Sequence, residues 1–354
     1  MKKAILLLII FGGLLLCSCA TVDTHNEVFC NPISNISAPD PYVKYIDGYY
    51  YALYTEATRI TIFRNTSIDT VLQGESKVVF TIGKEVQGHV WAPELHYLPS
   101  TGRWYIYASG ATDVLEFSTI RMFCLESVTS DPFGEYVFKD FTDDHTLAID
   151  QTIFYDEKGQ TMYTAFSEFT NKGQVITLAV MENPWTVSDK RIQVSYPQYM
   201  WERMGITEDK DGRIIEGKDG RVNEGPIFLS HKDKLFLIYS ASGCWSQYYC
   251  LGMLEYAGTD YAEKNVMNIE NWVKSTEPIF SAANDVYGVG HCSFFASPDG
   301  KETWIAYHGM HTPYAGEAGR YMYVQKISFD KNGIPALGEP LARETEISLP
   351  SEGK

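Results

Sequence analysis

Five ionisable residues recur at matching places along the 354-residue chain, each at the head of an apolar, strand-like segment. They are Asp40 before Pro41-Tyr42-Val43, Glu94 after Trp91-Ala92-Pro93, Asp150 before Gln151-Thr152-Ile153, Glu224 before Gly225-Pro226-Ile227, and His291 before Cys292-Ser293-Phe294. Each stands seven or eight residues ahead of a turn containing Gly or Asp. A charged group opening an apolar strand is costly to bury without a partner. Four carboxylates and an imidazole repeated at one register therefore point to a shared titratable site. An isolated Asp before a strand would more simply cap a turn.

The elements that must position these groups are five similar hairpins. Each reads as a strand, a short turn and an aromatic-rich strand that usually ends in a small or hydroxyl residue, as in Tyr49-Tyr50-Tyr51-Ala52-Leu53-Tyr54-Thr55 and Leu235-Phe236-Leu237-Ile238-Tyr239-Ser240. The units begin about 50 to 75 residues apart, leaving room for two more strands in each. Five units of four antiparallel strands predict an all-β, five-bladed β-propeller. A two-sheet sandwich is the alternative, but it offers no reason for five like hairpins. In a propeller the innermost strands run beside the central channel, so the five leading side chains are expected at one mouth.

In this order and spacing, Ala38-Pro39-Asp40-Pro41-Tyr42, Trp91-Ala92-Pro93-Glu94-Leu95, Ile149-Asp150-Gln151-Thr152, Asn223-Glu224-Gly225-Pro226 and Gly288-Val289-Gly290-His291 resemble glycoside hydrolase family 43 across the mature chain. Asn183-Pro184-Trp185-Thr186 and Tyr239-Ser240-Ala241 are similar to the branch containing exo-acting α-1,5-L-arabinofuranosidases. The resemblance implies an inverting hydrolase releasing terminal L-arabinofuranose from arabinan or another plant cell-wall oligosaccharide. The same scaffold also hosts β-xylosidases and galactan-active enzymes, and a non-catalytic glycan-binding lipoprotein is the rival outside enzymology. That rival would lack an acid or a base.

The resemblance assigns Glu224 as general acid, Asp40 as the base that activates water, and Asp150 as the residue that tunes and orients the acid. One carboxyl must stay protonated near neutral pH while another stays ionised. Trp91 is expected to wall the sugar pocket with its flat ring, and Arg320 to reach toward the sugar or the carboxylates. Glu94 is expected either to face sugar or to hold blade geometry. His291 is expected beneath the site, against water or a structural calcium in the channel. The chemistry itself requires no cofactor. Gln151 departs from the small residue or proline common after the Asp, which leaves the pose of that loop open.

Composition bounds the partners. A formal net charge of −16 argues against nucleic acid and anionic membrane surfaces, whereas neutral sugars suit a chain with 14% aromatic residues. Met1-Lys2-Lys3, the apolar run from Ala4 to Leu16 and Leu16-Cys17-Ser18-Cys19 read as a bacterial lipoprotein signal. The expected organisation is a signal at 1–18, lipidated Cys19 with a short tether at 19–27, and the propeller at 28–350. Such a protein is exported, touches membrane only through its lipid, and is expected to be a monomer. Of the other cysteines, Cys244 and Cys250 could form a local bridge or remain two buried thiols. Glu208-Asp209-Lys210-Asp211-Gly212-Arg213 lacks the closing Glu of a calcium loop and reads as a hairpin turn.

Overall fold

The computed structural model describes residues 28–208 and 213–352. They form five antiparallel four-stranded sheets whose strands follow chain order. Blade 1 is Tyr42–Ile46, Tyr49–Leu53, Arg59–Asn65 and Glu75–Thr81; blade 2 is Gly88–Leu98, Arg103–Ala111, Ile120–Ser127 and Tyr136–Asp143. Blade 3 is Ala148–Asp156, Thr161–Thr170, Gly173–Asn183 and Thr186–Ser195; blade 4 is Asn223–His231, Lys234–Ala241, Cys250–Tyr256 and Trp272–Lys274. Blade 5 is Tyr287–Ala296, Thr303–Met310, Arg320–Phe329 and Pro335–Ala336. Each innermost strand touches the innermost strands of both neighbouring blades, and the ring closes between blades 5 and 1. The molecule is a five-bladed β-propeller.

The aromatic-rich second strands supply the packing between blades. Tyr105, Tyr107 and Met122 of blade 2 meet Ile153, Phe166 and Ala179 of blade 3. Val43, Tyr50 and Ala52 of blade 1 meet Trp304, Ala306 and Val324 of blade 5. Burying each such large side chain contributes roughly 1.5–3 kcal/mol. The last seam has extra fastening: Val28–Phe29 pairs with Ile347–Ser348. Asn31 Nδ2 also donates to the Val324 carbonyl at 2.7 Å, while the Val324 N–H donates to Asn31 Oδ1 at 3.0 Å.

Ile206–Glu208 and Ile214–Gly217 pair as the expected hairpin, although its turn at 209–212 lies outside the described residues, as do the signal segment and Cys19. No helix among the described residues is long and apolar enough to cross a membrane. Cys244 and Cys250 are unbridged, Cys250 buried and Cys244 half-buried.

Candidate active site

A β-bulge recurs at the mouth of the propeller. Asp40, Ala92, Asp150, Gly225 and His291 have φ of 56°, 46°, 61°, 52° and 42°, the left-handed region that L residues rarely enter. In blades 2 to 5 the strand register shifts at this point. Each bulge is held by its own N–H, which donates across to the preceding blade. Ala92 donates to Thr55 Oγ1 at 2.8 Å, Asp150 to Ser109 Oγ at 3.1 Å, and His291 to Ser240 Oγ at 2.8 Å. Gly225 donates to Asp150 Oδ2 at 2.9 Å, and Asp40 to His308 Nδ1 at 3.2 Å. The hydroxyl residues closing the second strands are thus the tethers of the next blade's bulge. Gly225 suits its position, because φ is positive there and a Cβ would crowd the His291 ring, 3.0 Å from Cγ.

The bulge sets which side chains reach the mouth. Ala92 and Gly225 occupy the positions equivalent to Asp40, so Glu94 and Glu224 are offset from the fivefold register read in the sequence. Glu224 immediately precedes its bulge and enters the mouth. Glu94 comes two residues after its bulge and does not line the cavity; it lies 2.7 Å from His96 Nε2, with Lys44 close by. A strand's alternation of two assigns faces correctly only until an extra residue intervenes.

Asp40, Asp150, Glu224 and His291 are each under 9% exposed and share a cavity of about 380 Å³ with Trp91 and Arg320. Asp40 Oδ1 receives Arg320 at 3.0 Å and lies 3.3 Å from His291 Nδ1 and 3.4 Å from His308 Nδ1. Its Oδ2 accepts the Thr55 hydroxyl at 2.7 Å. Burial pushes this carboxyl up, but the Arg320 charge, then His291 and His308, outweigh it and hold Asp40 well below the usual carboxylate range. Burial takes His308 the other way, down to about 4.

Glu224 has neutral partners. Tyr249 donates to Oε1 at 2.8 Å and Gln174 donates to Oε2 at 3.0 Å. Burial raises Glu224 to about 7, these two donors pull it back, and the Asp40 charge adds to the rise. Asp150 is also raised to about 7, by burial first, with His291 opposing and the charges of Glu224 and Asp40 reinforcing. Asp150 reaches the neighbouring acid through the Gly225 N–H. The cavity therefore sets an ionised carboxylate against carboxyls that hold protons to near neutrality.

The remaining residues singled out in the sequence take their places around this pair. Gln151 is fully buried and satisfied: Thr142 Oγ1 donates to its Oε1 at 2.7 Å, and its Nε2 donates to Thr164 Oγ1 at 3.1 Å. The loop departure is thus a polar peg between blades 2 and 3. Tyr307 donates to Gln325 at 3.0 Å, and His311 stacks on Tyr321 with centroids 4.1 Å apart. Among the described residues no group of three or more His, Cys, Asp or Glu side chains is placed to hold a metal ion. Sequence reasoning missed Gln174, Tyr249, Phe117, Phe169, Asp219 and Trp245. Only Tyr249 carried a signal, lying next to the strand that pairs with Ser240. The rest come from second strands, third strands and loops.

The model of the family "Glycosyl hydrolases family 43" matches residues 29–335. An extracellular exo-alpha-(1->5)-L-arabinofuranosidase of Streptomyces avermitilis is 32% identical over 333 residues, covering 89% of this chain and 64% of that protein. Alpha-L-arabinofuranosidase 43 of Humicola insolens is 33% identical over 322 residues, covering 85% of this chain and 62% of that protein. The chain thus spans less than two thirds of either relative's length. The crystal structure of an alpha-L-arabinofuranosidase from Lactobacillus brevis superposes with a TM-score of 0.76 at 26% identity, covering 90% of this chain and 98% of that one.

Proposed function

The chain belongs to glycosyl hydrolase family 43, and from that premise we propose that it is an exported glycosidase releasing terminal α-L-arabinofuranosyl units from α-1,5-arabinan or its oligosaccharides with inversion. The observation that carries the reading is two equally buried carboxyls at one cavity, Asp40 against the Arg320 guanidinium and two imidazoles, Glu224 against the neutral donors Tyr249 and Gln174. Glu224, protonated near neutral pH, gives its proton to the departing glycosidic oxygen. Tyr249 and Gln174 each occupy one carboxyl oxygen as donors, leaving the acid's own O–H to aim at substrate. Asp40 holds the attacking water. Its Oδ1 is engaged by Arg320 and flanked by two imidazoles, so Oδ2, bonded by Thr55, is the oxygen that receives the water's proton. Asp150 fixes the acid by holding the Gly225 N–H. Trp91 offers its ring to the apolar face of the sugar. Names borne by the relatives favour arabinofuranose over xylose or galactose, and Cys19 is the expected point of lipid attachment after export.

The test is turnover of α-1,5-arabino-oligosaccharides and of 4-nitrophenyl arabinofuranoside, xyloside and galactoside, with the first product anomer read by NMR. Arabinose released first as the β anomer supports the proposal. An α anomer overturns inversion, and preferential xyloside or galactoside cleavage overturns the sugar assignment.

A further inference from the structure

The two sides of the cavity are built differently, and the difference bears on where the rest of a substrate chain lies. On the side of Asp40, Arg320 donates from Nε to the Glu317 carbonyl at 3.0 Å, and Glu317 pairs with Lys218 at 3.5 Å. Lys218 in turn lies 4.9 Å over the Trp245 ring. The half-exposed Glu317–Lys218 ion pair thus forms a cross-blade strap between the segment leading into blade 4 and a loop of blade 5.

On the side of Glu224 the wall is aromatic and reaches into solvent. Gln174, which holds the acid, pairs across its hairpin with Phe169. Phe169 meets Phe117 edge-on at 5.3 Å, and Phe117 lies 6.5 Å from Trp91. Beyond Phe117 the loop at 112–119 lifts Leu115 clear of the protein, 88% exposed, with Val114 beside it at 45%. Leu115, Val114 and the half-exposed Phe117 together put apolar surface on one loop, and Phe117 carries it to the cavity lining. The loop is nevertheless ordered by its own bonds. Leu115 N donates to Asp113 Oδ1 at 3.0 Å, Thr119 Oγ1 donates to the Glu116 carbonyl at 2.7 Å, and His89 Nε2 lies 3.2 Å from the Val114 carbonyl. Val114 also packs against Gly88, where a Cβ would come within 2.6 Å of Val114 Cγ2.

We infer that Phe169, Phe117 and Leu115 form a preorganised shelf for the sugar units on the leaving-group side of the scissile bond. The inference rests on the acid role of Glu224 given above, since the leaving oxygen must lie against the acid and the remainder of the chain must depart from there. The ligand is a neutral oligosaccharide presenting its C–H face to the rings. Asp113 and Glu116 on the same loop disfavour chains carrying uronates. The strapped side accommodates a chain end, and the shelf accommodates the sugar units beyond the scissile bond.

The experiment compares Leu115→Ser and Phe117→Ala with the parent chain on α-1,5-arabinotriose and on α-L-arabinofuranosyl fluoride, whose leaving group is too small to touch the shelf. The expected result is a loss of kcat/KM about tenfold greater for the triose than for the fluoride. Equal losses on both, or none on either, overturn the shelf. Leu115 is exposed, so its replacement does not threaten folding. If the parent chain cleaves neither compound, the arabinofuranosidase reading falls while the shelf is still judged by calorimetry with neutral arabino-, xylo- and galacto-trioses. There, binding weakened about tenfold in both variants supports the shelf, and unchanged binding or no binding by the parent overturns it.

Discussion

Asp40 and Glu224 have the same exposure, 8% each, and sit at the same mouth, yet one is held ionised and the other protonated. Burial alone would raise both. What separates them is the company each keeps. Blade 5 brings a guanidinium and two imidazoles to Asp40, whereas blades 3 and 4 bring a carboxamide and a phenol to Glu224. The difference between the two carboxyls is therefore made by the residues around them, not by the carboxyls themselves, and the proposed acid–base division rests on it.

The largest test of this contrast is chemical. Asp40→Asn and Glu224→Gln should each lower kcat/KM on arabino-oligosaccharides by roughly 10²–10⁴. With a dinitrophenyl leaving group, which departs without protonation, Glu224→Gln should recover most of its rate and Asp40→Asn should not; equal behaviour would erase the assigned roles. Arg320→Met removes the cation that outweighs burial at Asp40. It should cost roughly 10²-fold and move the acidic limb of the kcat/KM profile upward.

In the unaltered chain the proposed activity should fall on its alkaline limb as pH rises through about 7, where Glu224 loses its proton. Stability has the same sign, because a carboxyl raised in the folded state stabilises below its ordinary range and loses that contribution as pH climbs through the folded value. Tm should drop between about pH 5 and 8, and Glu224→Gln should flatten the drop. The smallest expected effect belongs to Tyr249→Phe. Losing a donor that favours the ionised acid should push the alkaline limb higher and reduce kcat by only about threefold to tenfold.

Much of this architecture is legible in the chain. Five hairpins with a polar residue at the head of each announce a propeller, and Asp40, Asp150 and Glu224 are recognisable from their local segments. Glu94 is misaligned by such counting because the bulge at Ala92 inserts an extra residue that composition does not reveal; alternation counted straight through it carries the side chain to the wrong depth. Gln174 and Phe169 are invisible for another reason. They reach the mouth from the hairpin that joins the second and third strands of blade 3, and which hairpin ends meet at the mouth is a property of the assembled ring. The terminal hydroxyls Thr55, Ser109 and Ser240 stand out as a regularity, but their purpose requires the neighbouring blade.

The seam between the first and last blades has a consequence for how the molecule comes into being. Asp40 and its guanidinium partner are 280 residues apart in the chain, and they meet only where Ala38 N–H reaches the Arg320 carbonyl at 2.8 Å and Ile33 N–H reaches that of Met322 at 2.9 Å. Until this circle is completed Asp40 lacks the Arg320 counter-charge. Activity should then be the last property to return during refolding and the first to vanish when the joint is loosened, for instance by Asn31→Ala, while spectroscopic strand content stays nearly intact. The placement makes hydrolysis itself a gauge of whether the ring is shut.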